Sequence, residues 1–208
     1  MKKRTISDRA AFYHRHRKQI EQWAALKEEA DEAAEDFFQS LRAPLTRAAL
    51  TLQGTPEVIS HFGKLTNRFY APHILLALPS WRRAGLDHPL AGVGIEWGRP
   101  ATIDDSYSGI WLNQPEGAFT VPARAYLVES VRVALGEPGL NAQWPDYEVN
   151  LVEDPYWPAY RCEEAQHPNY LEDLDGYAQA LVTGLCALWR STASIVDVAV
   201  QRCHPKAR

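Results

Sequence analysis

The residues of this chain that could do chemistry fall into two charged blocks. Residues 1–27 hold eight Lys and Arg against two acids, a balance of +6, whereas residues 137–175 hold ten acids against Arg161 alone, a balance of −9. The formal net charge of −4 conceals both blocks. Clustered cations suit phosphates or an acidic protein, and clustered carboxylates suit cations, so the sequence indicates charged partners rather than one particular reaction.

In the basic block, four cations are candidates for binding a nucleic acid or another anion: Arg9, Arg15, Arg17 and Lys18. The guanidinium fork of Arg binds phosphate oxygens in pairs, and Tyr13 could stack on a base. Two simpler interpretations are a solvated helix end and pairing with the acidic block of the same chain. An acidic protein partner is a further alternative. The net charge of −4 and a pI near 6.0 count against a dedicated binder of duplexes.

The acidic block contains six candidate carboxylates: Asp146, Glu148, Glu153, Asp154, Glu163 and Glu164. Carboxylates on neighbouring strands can hold Mg²⁺ or Mn²⁺ for hydrolysis, and Asp146 and Glu148 would share one strand face. Nucleases of the PD-(D/E)xK type add a Lys two residues after an acid, which the predicted strands lack. We therefore favour solvated acids or a partner surface, predict no metal, and keep a metal-dependent nuclease as an alternative.

Arg68 and His73 have the spacing of the ribonuclease motif of HEPN proteins, and the chain resembles that family at these two residues alone. The motif of that family lies in a helix. In this chain Pro72 and the apolar residues after it predict a loop followed by a strand. We therefore do not predict ribonuclease activity from this pair.

Other signatures of metal, cofactor or nucleophile sites are missing from the sequence. There is no Cys-x-x-Cys or His-x-x-x-His pair, no P-loop, no dinucleotide fingerprint and no Gly-x-Ser-x-Gly, so no cofactor is predicted. Three scattered cysteines favour a reducing compartment, and we expect a cytoplasmic protein with Cys186 in the core. The apolar runs are too short to predict a membrane span.

Aromatic residues are concentrated in the predicted strands and loops between residues 97 and 160. Most of them should lie in the core, because a sheet covered by helices needs large side chains. Tyr156 and Trp157, which are flanked by Pro155 and Pro158, are the two expected on a contact surface with a partner.

The two ends of the chain show the period of helices. Residues 7–42 predict one helix capped by Ser7, with an apolar stripe and with basic residues preceding acidic ones. That charge order opposes the helix macrodipole and hints at an external anion or an acidic neighbour. Residues 169–201 predict a second long helix capped by Asn169, whose wide apolar stripe favours packing on a sheet or on the first helix over a coiled coil.

Shorter elements are predicted between these helices. Pro44–Leu52 and Pro122–Gly136 predict two helices, and Thr55-Pro56-Glu57 predicts the start of another, carrying Val58, Ile59, Phe62 and Leu65. Short apolar runs bounded by turn residues predict five strands: His73–Leu78, Ala91–Trp97, Tyr107–Leu112, Tyr147–Glu153 and Trp157–Cys162. Asp154-Pro155 predicts a hairpin turn between the last two strands.

Together these elements predict a single α+β domain over residues 1–208. A helical extension (1–54) precedes an α+β core (55–168), and a long C-terminal helix (169–201) follows it. The core is expected to hold a mostly antiparallel sheet of four or five strands with a crossing helix.

We expect a non-enzymatic binding or regulatory protein that uses the basic N-terminal helix and the acidic, aromatic surface. Its partner would be a nucleic acid or a protein, and the terminal helices could pair with those of a second copy. A metal-dependent nuclease or hydrolase using residues 146–164 and a structural subunit of a larger assembly are the alternatives.

Overall fold

The computed structural model describes residues 7–61, 71–83, 88–98, 106–113, 119–136, 157, 159, 161–163 and 172–203. The elements in chain order are α1 (Asp8–Ser40), α2 (Arg42–Ala49), β1 (Glu57–His61), β2 (His73–Ala77), a 3₁₀ turn (Pro79–Trp81), β3 (Ala91–Trp97), β4 (Ser106–Leu112), α3 (Val121–Leu135) and α4 (Leu174–Cys203).

The strands form an antiparallel sheet in chain order, β1-β2-β3-β4. One row across it runs from Val58 through Leu76 and Val93 to Ile110. Beyond β4 the backbone of Arg161–Glu163 continues the antiparallel pairing. With long helices at both ends of the chain, this is the α+β architecture that the sequence predicts.

One face of the sheet lies under the helices and carries the main core. Ile74, Val93 and Ile95 on this face are fully buried with residues of α3 and α4. The opposite face holds a smaller buried cluster of Leu75, Trp111 and Trp157. Gly94 is needed there, because a Cβ at this position would lie 2.0 Å from the carbonyl oxygen of Ile74.

The helix α3 forms as predicted. Thr120 Oγ1 accepts a hydrogen bond from Ala123 N at 3.3 Å, Pro122 lies in the first turn, and Gly136 ends the helix with φ of +77°. The guanidinium of Arg202 in the last turn of α4 lies 3.6 Å from the ring centre of Tyr126 on α3, which joins the two helices at their surface.

The helix α4 is packed along its length on α3 and on the sheet. Eleven of its thirty residues are buried, among them Trp189, whose Nε1 donates to the carbonyl oxygen of Gln53 at 3.1 Å. The predicted cap is wrong: the helix begins at Leu174 rather than near Asn169. Asp173 Oδ1 accepts from Gly176 N at 2.8 Å, so Asp173 satisfies a free N–H of the first turn.

By length and composition α4 is also apolar enough to cross a membrane, with a window of mean hydropathy 1.2. The core helix of a soluble domain passes the same test. Its buried residues face α3 and the sheet, while Gln179, Thr183 and Gln201 lie exposed on its other side.

Predicted helices 7–42 and 44–52 correspond to α1 and α2, which Leu41 separates. Ser7 caps α1 as predicted, since its Oγ accepts from Ala10 N at 3.3 Å. Pro44 lies in the first turn of α2, where its missing N–H breaks no helical hydrogen bond.

The helix predicted from Thr55-Pro56-Glu57 is wrong, because Glu57–His61 is the edge strand β1. Gly54 and Thr55 have φ of +81° and +46°, which turns the chain back before it can start a helix. Val58 and Ile59 are β-branched and pair with Leu76 and Leu75 of β2. Pairing along the sheet therefore overrides a good local helix start.

Some predictions fall outside the described residues. These are the strand Tyr147–Glu153, the turn Asp154-Pro155, and Phe62 and Leu65. Of the predicted strand Trp157–Cys162, the paired segment is Arg161–Glu163.

Candidate functional site

The N-terminal part of α1 stands in solvent. None of residues 8–33 is buried, and residues 21–30 are all exposed. We call residues 8–33 the arm. At 1.5 Å per residue it is roughly 39 Å long. Helices in proteins owe most of their stability to packing of an amphipathic face, so such an arm is typical of an element that a partner covers.

The last turns of α1, residues 34–40, hold the arm to the domain, and we call them the anchor. Phe37 stacks on Tyr177 of α4 with ring centres 5.4 Å apart, and Phe38 stacks on Trp97 of β3 at 4.6 Å. Glu35 Oε2 accepts a hydrogen bond from Trp97 Nε1 at 3.0 Å. These contacts fix the direction in which the arm leaves the domain.

The apolar face of the anchor continues along the arm. With 100° per residue, these side chains fall within an arc of roughly 120°: Phe12, Ile20, Trp23, Leu26, Ala30, Ala34 and Phe37. Phe37 at one end of this arc is buried, whereas Phe12, Trp23 and Leu26 are 55%, 67% and 61% exposed. The same face is therefore core at one end and uncovered over the rest.

Polar contacts along the arm are local. Arg17 Nε donates to Glu21 Oε1 at 2.7 Å, and Tyr13 Oη donates to the same oxygen at 3.3 Å. The hydrogen bond from Arg17 lowers the pKa of Glu21, and that bond and the carboxylate charge raise the pKa of Arg17. Lys27 pairs with Asp31 one turn later. Exposed pairs of this kind contribute only weakly to helix stability, because solvent screens them.

The four predicted anion-binding cations, Arg9, Arg15, Arg17 and Lys18, all lie exposed on the arm. They do not share one face. Measured from Arg9, the helical positions of Arg17, Lys18 and Arg15 are rotated by roughly 80°, 180° and 240°. A ring of cations, one of them paired with Glu21, is poorly suited to follow a single phosphate backbone.

The second half of α1 is acidic, which also disfavours a nucleic acid along the arm. Residues 28–36 hold six acids and no base, whereas residues 9–18 hold four Lys and Arg and no acid. The uncovered face is therefore flanked by cations in its first half and by carboxylates in its second. A nucleic acid lying along the whole arm would meet repulsion from Glu28 onwards.

The predicted partner surface needs a correction. Trp157 is 3% exposed and packs with Leu75 and Trp111 on the second face of the sheet. Gly92 and Gly94 of β3 leave room on this face for Leu75, since a Cβ at either position would lie within 3.0 Å of it. Tyr156 lies outside the described residues.

The candidate carboxylates of the acidic block also lie outside the part of the chain that is described, apart from the backbone of Glu163. The hypothesis that Asp146 and Glu148 share a strand face stays a prediction.

A cluster of three histidines on the second face of the sheet was not predicted. His61 and His73 are directly opposite each other on β1 and β2, and His88 precedes β3. The ring centres are 5.7 Å apart for His61 and His73, 5.6 Å for His61 and His88, and 5.1 Å for His73 and His88. Trp111 closes the group 5.5 Å from His73.

His73 is the buried member of this cluster. Its Nδ1 lies 2.8 Å from the carbonyl oxygen of Ala71, so Nδ1 carries the proton and donates it. Nε2 has no hydrogen-bond partner among the described residues. Burial lowers the pKa of His73 to about 4, with smaller contributions in the same direction from His88 and His61. The imidazole is therefore neutral at pH 7.

Within the described ranges, no group of three or more His, Cys, Asp or Glu side chains is arranged to hold a metal ion. The histidine cluster thus acts as an aromatic cluster with one buried base. Sequence reasoning could not find it, because residues 61, 73 and 88 follow no motif spacing. The pairing of β1 with β2 brings two of them together, and that pairing contradicts the local helix signal.

A shallow cleft of about 230 Å³ lies beside α4, between Gln53, Leu78, Arg190 and Asp197. Asp197 Oδ1 accepts a hydrogen bond from Trp81 Nε1 at 2.9 Å, so this carboxylate is used in the fold. The cleft is smaller than the roughly 300–1,000 Å³ typical of small-molecule sites.

No protein-family model, no curated protein and no solved structure matches this chain. The exposed apolar face of the arm is the feature of the described residues that bears most directly on function.

Proposed function

We propose that this is a non-enzymatic binding protein whose arm is the contact element for a protein partner. The observation that supports the proposal is the continuous apolar face of α1, which is buried at Phe37 and exposed at Phe12, Trp23 and Leu26. Uncovered apolar surface of this kind marks interaction sites, and aromatic anchors such as Trp contribute most to binding energy. The scattered cysteines favour the cytoplasm as the place of action.

A protein partner is favoured over a nucleic acid by two features of the arm. Its cations are spread around the helix, and its second half is acidic. An amphipathic helix laid into a groove or against another helix uses an apolar stripe flanked by charges, which is the pattern of the arm.

The experiment places a photo-crosslinking amino acid at position 23 of the full chain in the cells that make the protein. Position 133 on α3 is the matched control, since Val133 is a 72% exposed apolar residue away from the arm. We expect one discrete adduct from position 23 on denaturing gels, and none from position 133. Equal adducts from both positions, or none from position 23, would refute the proposal.

A nucleic acid remains the competing outcome of a second measurement. Purified protein is mixed with labelled single- and double-stranded DNA and RNA at low and high salt. A salt-sensitive gel shift that disappears on changing Arg15, Arg17 and Lys18 to Ala would move the function from a protein partner to a nucleic acid.

A further inference from the structure

We propose that the partner of the arm is a second copy of this chain, docked antiparallel so that the two Trp23 side chains meet at the two-fold axis. This inference rests on the proposed function and names the partner for the same surface. It is argued from the order of charges along the arm and from the position of its apolar residues.

The charges along the arm are complementary to those of a reversed copy. Lys18 lies five residues before Trp23 and Glu28 lies five residues after it. The two charges between them, Glu21 and Lys27, are paired within the helix with Arg17 and Asp31. An antiparallel pair centred on Trp23 therefore places the basic half of each arm against the acidic half of the other. A parallel pair would place cations against cations and acids against acids.

The flanking charges also lie on matching sides of the apolar face. On the helix, Arg17 and Asp31 are rotated from each other by only roughly 40°, so both lie along the same edge of the face. They are six residues before and eight residues after Trp23. In a pair centred near Trp23, Arg17 of one copy approaches Asp31 of the other, as flanking residues do in coiled coils.

The arrangement closes on itself. A two-fold pair uses the same patch on both copies, so no further surface is left to extend a filament. It covers Phe12, Trp23 and Leu26 at once, because these residues share one arc of α1. It also gives a physical reason for the basic start of the helix, which the helix macrodipole alone disfavours.

The experiment measures the oligomeric state of the full chain by sedimentation velocity at micromolar concentration. In the base-reversed variant Arg15, Arg17 and Lys18 become Glu. In the acid-reversed variant Glu28, Asp31 and Glu32 become Lys. We expect wild type to be a dimer that weakens with salt, and each variant alone to be a monomer, with a dissociation constant raised at least about tenfold.

Two combinations test the charge pairing, and the second of them also tests its direction. A mixture of the two variants should form a heterodimer, because one arm is then acidic and the other basic. The variant with all six reversals should form a homodimer again, since its antiparallel complementarity is restored. Circular dichroism confirms that each arm stays helical. Dimers that tolerate either single reversal would overturn the charge-paired arrangement.

A cysteine at position 23 tests the centre of the pair. Trp23→Cys should give a disulfide-linked dimer on oxidation, because a disulfide needs Cα atoms within about 7 Å. Ala30→Cys, on the same apolar face, should not, because an antiparallel pair centred on Trp23 would hold its two copies roughly 21 Å apart along the helices. Wild type, with Cys162, Cys186 and Cys203, is oxidised alongside to measure the background, and two of these, Cys186 and Cys203, are buried. Equal crosslinking at both positions would overturn the proposed centre.

The two proposals fail differently. A monomeric wild type with a position-23 adduct heavier than one chain but different from two chains overturns the second copy and leaves a protein partner. A monomeric wild type with no adduct overturns both. An adduct of twice the mass of the chain, with a salt-sensitive dimer, supports both.

Discussion

The helices α1 and α4 begin and end the chain and have nearly the same length, 33 and 30 residues. Eleven residues of α4 are buried, against Phe37 and Phe38 alone in α1. Both carry an apolar stripe, but the stripe of α4 is covered along its length by α3 and the sheet, whereas that of α1 is covered only at the anchor, by α4 and β3. Helical periodicity therefore identifies a face that must be covered, but it does not identify what covers it.

The two helices are therefore stabilised in different ways. In α4, burial of large apolar side chains contributes roughly 1.5–3 kcal/mol for each fully buried residue. The arm depends on its cap, on helix propensity and on exposed ion pairs such as Arg17–Glu21, each of small effect. We expect α4 to unfold only with the domain, and the arm to open locally while the domain stays folded.

The largest expected effect is on the free energy of unfolding, and it distinguishes the buried Trp189 of α4 from the exposed Trp23 of α1. Trp189 in α4 is fully buried, and its ring centre lies 5.3 Å from that of Trp81. Its Nε1 donates a hydrogen bond to the carbonyl oxygen of Gln53. Trp189→Ala should lower the free energy of unfolding by about 3–5 kcal/mol, through the cavity and the lost hydrogen bond. Urea unfolding followed by circular dichroism measures this loss.

The matched variant is Trp23→Ala in the arm. It should leave the free energy of unfolding of the monomer within about 0.5 kcal/mol of wild type, because Trp23 touches no core. Its effect should fall on self-association instead. A loss of stability similar to that of Trp189→Ala would mean that the arm unfolds cooperatively with the core.

The next effect concerns the buried histidine of the sheet. The pKa of His73 is lowered to about 4 in the folded protein, against 6.5 for an ordinary imidazole. Below pH 6.5 the unfolded chain takes up a proton that the folded chain refuses, so stability falls as the pH drops from 6.5 towards 4. The loss should approach about 3 kcal/mol and should vanish above pH 6.5.

Urea unfolding of wild type and His73→Phe, measured above pH 6.5 and near pH 4, tests this effect. The variant keeps an aromatic ring beside Trp111 and removes the titrating group, so its stability should depend less on pH over this range. An unchanged pH dependence in His73→Phe would assign the effect to other groups.

Much of the fold could be predicted from the sequence, because periodicity and caps are local. Ser7 and Gly136 mark the ends of helices as predicted, and β3 spans Ala91–Trp97, the range predicted for it. The strand β1 could not be predicted, since Thr55-Pro56-Glu57 is a favourable helix start. Its conformation depends on the neighbouring strand β2.

The candidate site was predicted only in part. The sequence identifies Arg9, Arg15, Arg17 and Lys18 as an exposed basic group on a helix, and the structure places them there. It could not tell that the stripe is covered at Phe37 and uncovered at Trp23, because that depends on where the sheet ends. The sequence wrongly predicts Trp157 on a surface, because the residues that bury it, which include Leu75, are distant along the chain.

The smallest expected effect compares the caps of the two helices. Ser7 Oγ accepts from Ala10 N at 3.3 Å in α1, and Asp173 Oδ1 accepts from Gly176 N at 2.8 Å in α4. Replacing either residue by Ala should remove about 1 kcal/mol of helix stability. Asp173→Ala should lower the free energy of global unfolding by that amount, because α4 and the domain unfold together.

Ser7→Ala should leave global unfolding unchanged and raise the amide hydrogen exchange of residues 8–20 alone, by up to about fivefold for 1 kcal/mol. Exchange measured by mass spectrometry at low protein concentration, where the arm is unpaired, tests this difference. If Ser7→Ala lowered global stability as much as Asp173→Ala does, the arm would be coupled to the core along its whole length. Repeating the measurement at high concentration separates the two proposals for the arm, since pairing with a second copy should slow exchange on both sides of Trp23 and make the loss of the cap less visible.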